Sequence, residues 1–148
     1  MSKTTVEISP ELAQLPCLNL TLRKATRVMN KIYDQHLSAC DLKGGQFTIL
    51  RASYLLGETS NKQLQSILVL DQTTLTRNLK PLIRDGYLDV QPGQDRRQKV
   101  LRLSEAGLEK YKQAEAFWLE AQKEVYQQLG PELSQQLLDL SKTIVELD

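Results

Sequence analysis

Apolar residues recur along this chain at intervals of three and four. Leu18, Leu22, Ala25, Met29, Ile32 and His36 are spaced 4, 3, 4, 3 and 4, the stripe of an amphipathic helix about six turns long. Ahead of it, Ser9-Pro10-Glu11 is a helix start, with a serine cap, proline at the first position and a carboxylate at the positive end. That short piece is expected to reach Gln14, before Pro16 restarts the chain. Lys43-Gly44-Gly45 is expected to end the long helix. A further helix follows over about Gln46 to Leu56, with Phe47, Leu50, Tyr54 and Leu55 on or near one face. Ser60-Asn61-Lys62-Gln63 has the S-x-x-Q form of a capping box and predicts a short helix carrying Leu64, Ile67 and Leu68. Asp71 caps a helix from Gln72 to about Arg84, which Asp85-Gly86 stops. Pro81 argues for a kink there, yet Leu75, Leu79 and Leu82 carry the period through.

The pattern then changes. Tyr87-Leu88-Asp89-Val90 and Lys99-Val100-Leu101-Arg102-Leu103 predict two strands, joined by a polar, basic tip over residues 91–98. Ser104 caps a long helix to Leu129. Gly130 breaks it, and Pro131-Glu132 starts a last helix with Leu133, Leu137, Leu140, Ile144 and Leu147 spaced 4, 3, 4 and 3. Two short helices, a strand pair with a basic tip, then long helices give the order of a winged helix-turn-helix. The expected fold is mostly α with a small β-hairpin wing. A winged helix-turn-helix DNA-binding part over 46–103 joins a helical dimerisation part over 10–42 and 104–148, all within one domain over 1–148.

Composition narrows the class. The 148 residues are 41% hydrophobic and 25% charged, enough to bury one core. No apolar run approaches the roughly 18 residues a bilayer needs, and Met1 to Pro10 lack the make-up of a signal peptide; a soluble cytoplasmic protein is expected, with no membrane partner. Two cysteines, Cys17 and Cys40, make neither a disulfide framework nor a zinc signature, and were both on one helix they would be too far apart to bridge. The lone histidine and the absence of a Cys/His cluster leave no expected metal site or cofactor. There is no nucleophile–base pair and no phosphate-binding glycine loop, so an enzyme is not expected.

Charge is unevenly spread. Residues 72–102 hold seven Lys/Arg against three Asp/Glu, and residues 103–148 hold four against nine. A basic middle beside an acidic tail suits a surface that meets a polyanion. On the 72–84 helix, Leu75, Leu79 and Leu82 fall within about 60° of one another at 100° per residue. Thr73, Thr76, Arg77, Lys80 and Arg84 take the opposite face, with no carboxylate among them. A face kept only for solubility would mix signs; one that enters a major groove needs long donors for guanines and phosphates, and short hydroxyls for close approach. On the hairpin tip, Arg96 and Arg97 are placed to reach a minor groove, with Asp95 orienting Arg97 through a carboxylate–guanidinium pair. The candidate DNA contacts are therefore Ser60, Asn61, Lys62, Gln72, Thr73, Thr74, Thr76, Arg77, Lys80 and Arg84, with Asp95, Arg96, Arg97, Gln98 and Lys99 from the wing. A winged-helix module that binds protein instead would call for an apolar or acidic face on that helix.

Asp71-Gln72-Thr73-Thr74-Leu75-Thr76-Arg77-Asn78-Leu79, followed by Leu82 and Asp85-Gly86-Tyr87-Leu88, resembles the MarR family of bacterial transcription regulators. So does Asp95-Arg96-Arg97, which matches the family's D-x-R wing motif, followed by Leu103-Ser104-Glu105-Ala106-Gly107, close to its L-[ST]-x-x-G. The likeness runs over about 17–148. It implies a dimer with interlocked terminal helices and a winged reader on each side. It also implies control by an effector, usually a small aromatic or phenolic acid and sometimes cysteine oxidation. A sequence-specific regulator of double-stranded DNA, acting as a repressor on a pseudo-palindromic site, is the expectation this supports. The alternative is a thiol-based redox sensor acting through Cys17. In the family's peroxide-sensing branch, however, the sensor cysteine stands eight residues before a helix arginine and has a tyrosine four residues on. Cys17 stands ten before Arg27, with Thr21 in the tyrosine's place.

The terminal stripes argue separately for a dimer. The last helix is amphipathic on too few residues to be stable alone, and a small wing domain has little surface to cover it. A two-fold homodimer that buries Leu18, Leu22, Leu133, Leu137, Leu140 and Ile144 is the economical arrangement, with half-sites roughly 10 base pairs apart. His36 is expected at that interface. Trp118 and Tyr111, seven apart on one face, are expected in the core. An aromatic effector would fit the cleft between reader and dimer helices, where Arg27, Arg51, Tyr54 and Tyr111 are the candidates.

Overall fold

The computed structural model of the chain describes residues 8–95 and 97–148. Six α-helices and a three-stranded antiparallel sheet follow one another as α1 (Pro10–Gln14), α2 (Leu18–Leu37), α3 (Gly44–Leu56), β1 (Glu58–Thr59), α4 (Asn61–Leu68), α5 (Gln72–Arg84), β2 (Leu88–Pro92), β3 (Lys99–Leu103) and α6 (Glu105–Val145). The helix starts follow the capping chemistry of the sequence. Ser9 Oγ accepts the Leu12 N–H, Ser60 Oγ the Gln63 N–H, Asp71 Oδ1 the Thr74 N–H and Ser104 Oγ the Gly107 N–H. Pro81 lies inside α5 without breaking it.

Two boundaries differ from expectation: β2 runs to Pro92, two residues into the expected tip, and the junction of α2 with α3 is shifted. Lys43-Gly44-Gly45 opens α3 rather than closing α2. The long helix stops at Leu37, passes through a 3-10 turn over Ser38–Cys40, and reverses at Asp41 with φ 58°. Leu37 and Leu42 are buried on either side of this turn, and the Leu42 N–H bonds the Leu37 carbonyl at 3.3 Å. The next helix is capped from both neighbours. Gln46 Oε1 accepts the Lys43 N–H at 3.0 Å, and Asp34 Oδ1 accepts the Gly44 N–H at 2.7 Å. Cys40 therefore lies beyond α2, while Cys17 caps it through a Leu20 N–H to Sγ contact of 3.4 Å.

The sheet order is β1-β3-β2, with Val90 opposite Leu101 and Thr59 opposite Leu101 on the other edge. The strand β1 adds a third member that the sequence pattern does not announce. Its Glu58 pairs with Arg102 at 3.4 Å. The core gathers around α3: Phe47, Ile49 and Leu50 meet Leu64 of α4, Leu75 and Leu82 of α5, Leu101 of β3 and Tyr111 of α6. The break at Gly130 (φ 80°, ψ 169°) divides α6 into an arm over 105–129 and a second over 131–145. Among the described residues no helix is long and apolar enough to cross a membrane, and no group of three or more His, Cys, Asp and Glu is placed to hold a metal ion.

Candidate nucleic-acid interface

The amphipathic split of α5 is as its sequence requires. Leu75, Leu79 and Leu82 are buried, while Gln72, Thr73, Thr76, Arg77, Lys80 and Arg84 are exposed and Thr74 is half-buried. The helix is anchored at its start by Asp71. Hydrogen bonds from Thr74 hold that carboxyl below its usual range, so it stays ionised at the positive end of the helix dipole. At the other end Arg84 Nε donates to Asp85 Oδ1 at 3.1 Å. The face is free of carboxylates along its length but not at its end, and Arg84 is partly committed to that neighbour.

Two grooves show how the elements meet. One, of about 440 Å³, runs between α5 and the sheet and is bordered by Asn61, Thr76, Lys80, Arg84 and Lys99, with Leu79, Ile83, Val90 and Leu101 as its apolar floor. The other, of about 390 Å³, is bordered by Ser60, Asn61, Lys62, Arg97, Gln98 and Lys99. Asn61 and Lys99 border both, so the start of α4, the outer face of α5 and the wing share one concave surface. Gln72, Thr73 and Arg77 are exposed on α5 outside those two walls. Ile83 and Val90 were not among the sequence candidates; an apolar residue on a polar face carries no periodic signal of its own.

The wing corrects one expectation. Asp95 does not pair with the Arg97 guanidinium; its Oδ1 accepts the Arg97 backbone N–H at 3.2 Å. Two residues is the reach of an Asx turn, in which a short carboxylate bonds the backbone before a longer side chain can return to it. The Gln98 N–H bonds the Asp95 carbonyl at 2.9 Å and the Gly93 N–H bonds the Gln98 carbonyl at 2.7 Å, closing the tip. Arg97 is exposed. The neighbouring candidate Arg96 lies outside the described residues.

Behind the reader, three of the four effector candidates come together. Arg51 Nη1 donates to the Tyr111 hydroxyl at 3.1 Å, and that hydroxyl donates to Glu115 Oε2. Arg51 also lies 3.8 Å from Glu115 Oε2 and 4.5 Å above the Trp118 ring. Tyr54 stacks on Tyr111 at 4.5 Å, and Phe47 stacks on both Tyr111 and Trp118. Burial, followed by the bond to Glu115, pushes the Tyr111 phenol up to about 12. The Arg51 charge is thus already met by a carboxylate and an aromatic face. Arg27 is exposed on α2 and takes no part in this cluster.

The terminal stripes are uncovered within the chain. Leu18 is 75% exposed and Leu140 is 58% exposed; Leu22, Leu133 and Leu137 are also exposed, and Ile144 is half-buried. His36 faces α6 of its own chain, with Nε2 2.6 Å from Glu124 Oε2 and Nδ1 3.8 Å from Glu120 Oε2. Cys17 is exposed, and burial pushes the Cys40 thiol up.

The model of the MarR family matches residues 42–99, from the end of the turn before α3 to the first residue of β3. The chain is similar to the M. tuberculosis transcriptional regulator MOSR, solved in complex with DNA. The two share 30% identity and a TM-score of 0.76 over 87% of this chain and 96% of that one. In fold it is similar to a mutant E. coli MarR solved with operator DNA, at 21% identity and a TM-score of 0.77 over 86% and 92% of the two chains. It is likewise similar in fold to BpsR of Bordetella bronchiseptica, solved in a study of how 6-hydroxynicotinic acid regulates its DNA binding. There the identity is 21% and the TM-score 0.81, over 89% and 95%. With its reader matched by the family model and almost the whole of its length shared with a 30%-identical regulator, the chain belongs to the MarR family of DNA-binding transcription regulators.

Proposed function

We propose that this chain is a homodimeric repressor that binds a pseudo-palindromic site in double-stranded DNA in the cytoplasm and responds to a small aromatic or phenolic effector. One observation carries the reading. The outer face of α5, the start of α4 and the wing border one concave surface that is rich in hydroxyls, amides and cations. Thr76 and Lys80 on that surface, with Thr73 and Arg77 exposed beside it on α5, suit base edges and the flanking phosphates of a major groove, and Arg97 with Lys99 suits the adjacent backbone or minor groove. The exposed leucines of α2 and of the second arm of α6 call for a partner, and a second copy supplies the same stripes by symmetry. MOSR and MarR, solved on DNA, support the first part of this reading. BpsR, whose effector is a hydroxylated aromatic acid, supports the second.

The effector acts only through a difference in affinity between two dimer geometries. The cluster of Arg51, Tyr111, Glu115 and Trp118 joins α3 of the reader to α6, so a ligand that displaces Glu115 from Arg51 would move one against the other. The experiment is a pull-down of genomic fragments with the purified protein, repeated with phenolic acids. A shared inverted repeat upstream of coding regions, released by one of the acids and derepressed in a deletion strain, is expected. Fragments without a common sequence would contradict the reading.

A further inference from the structure

The helices α1, α4, α5 and α6 open on a serine or aspartate whose side chain accepts a first-turn N–H. The helix α3 opens on Lys43, whose ammonium can only donate. Its acceptor comes from another helix. Asp34, ten residues upstream in the last turn of α2, takes the Gly44 N–H on Oδ1 at 2.7 Å. A carboxylate at the negative end of α2 is unfavourable for α2 itself, and favourable at the positive end of α3. The same first turn of α3 meets the reading helix. A Cβ on Gly45 would stand 3.2 Å from both polar atoms of the Asn78 amide, so a bare glycine lets α3 seat closely on α5. Asn78 is half-buried, and its Nδ2 donates to the Thr74 carbonyl at 3.2 Å. Consecutive residues thus carry both links, Gly44 to α2 and Gly45 to α5. Among the described residues, Asp34 to Gly44 is the one hydrogen bond that joins α2 to residues 44–103.

We propose that Asp34 is a positioning residue for DNA recognition: its bond to Gly44 fixes how α5 stands relative to α2, and so sets the half-site spacing the dimer accepts. This rests on the dimeric DNA-binding reading above. Buried Leu37 and Leu42 also hold this junction together, but apolar contact is non-directional. A hydrogen bond of 2.7 Å tolerates only a narrow range of length and angle. In a two-fold dimer joined through α2, any tilt of α3 against α2 is carried to both reading helices through the Gly45–Asn78 contact. The separation of those helices is what half-site spacing mirrors. One inserted base pair moves a half-site by about 3.4 Å and turns it by about 34° around the duplex. A fixed joint penalises that displacement, and a loosened joint follows it.

The test is fluorescence anisotropy of the full-length protein on an operator recovered from the genomic fragments, as isolated and with one base pair inserted at its centre. The ratio of the two affinities is read. A variant that merely loses stability weakens both and leaves the ratio alone. The parent should bind the lengthened site about tenfold more weakly, the scale of one mismatched pair. Asp34→Ala should narrow this to about threefold. Asp34→Asn keeps an acceptor and should retain the parent's ratio. The double variant Asp34→Ala/Gly44→Pro separates the link from the cap. Proline suits the first position of a helix and leaves no orphaned N–H there, and its ring has room once the Asp34 carboxylate, 3.2 Å from a Cβ at 44, is gone. With α3 started well but unlinked to α2, the ratio should stay near threefold, with helicity confirmed by circular dichroism. This variant carries the comparison should Asp34→Ala not fold. A parent-like ratio in Asp34→Ala or in the double variant, or a ratio in Asp34→Asn as low as in Asp34→Ala, overturns the positioning role and leaves the dimeric reading standing. A parent that binds both sites equally removes the dimeric reading, and the positioning role with it.

Discussion

The carbonyl oxygen of Tyr87 fills the space that a side chain at position 107 would need: a Cβ on Gly107 would stand 1.9 Å from it. The contact lies within a joint. The Ser104 hydroxyl donates to the Gly86 carbonyl, the Ser104 N–H bonds the Tyr87 carbonyl at 3.1 Å, and the Gly107 N–H donates to Ser104 Oγ at 2.9 Å. The Leu-Ser-x-x-Gly run thereby fastens the first turn of α6 to the corner between α5 and β2.

Gly107→Ala should destabilise the chain by about 2–3 kcal/mol, because backbone rather than a flexible side chain must give way. The measurement is the urea midpoint. A shift no larger than that of Ala106→Gly, at an exposed site on the same turn, would contradict the joint.

Tyr111 gives a pH dependence with a definite sign. Its phenol is held protonated to about 12 in the fold, against 10.0 in the unfolded chain. Its contribution to stability is complete below pH 10 and is lost as pH rises toward 12, since the unfolded state releases its proton first. Stability measured from pH 9 to 12 should fall less steeply in Tyr111→Phe than in the parent, the difference isolating this tyrosine from the others. Parallel curves would contradict the assignment.

The helix that carries the candidate contacts is legible in the sequence. Asp71, the 75–79–82 leucines and the basic opposite face placed α5 correctly because cap and period act locally. The remainder depended on contacts the sequence does not order. Strand β1 has two residues, too few for alternation to register, and exists because β3 offers it a free edge. The double glycine at 44–45 resembled a stop, yet Asp34 from the preceding helix caps it as a start. Arg51 looked available for a ligand because Glu115 is 64 positions away and meets it only when α3 packs on α6.

The exposed stripe on the second arm makes its own prediction. Leu140→Asp places a charge where a second copy would bury apolar surface, at a site that is open within the chain. Sedimentation should show a monomer at concentrations where the parent is a dimer, with helicity retained. A parent that sediments as a monomer, or a variant that still dimerises, would remove this stripe from the interface.

Sequence-specific binding requires α5 and the wing to touch the same duplex. Fluorescence anisotropy on an isolated operator, over a series of salt concentrations, tests this directly with the parent, Arg77→Ala and Arg97→Ala. Arg77→Ala should cost about 1–3 kcal/mol on the specific site and relax base preference. Arg97→Ala should weaken binding and lower the salt slope by about 1 if it meets a phosphate. Unchanged affinity and slope in both variants would contradict DNA contact by α5 and the wing.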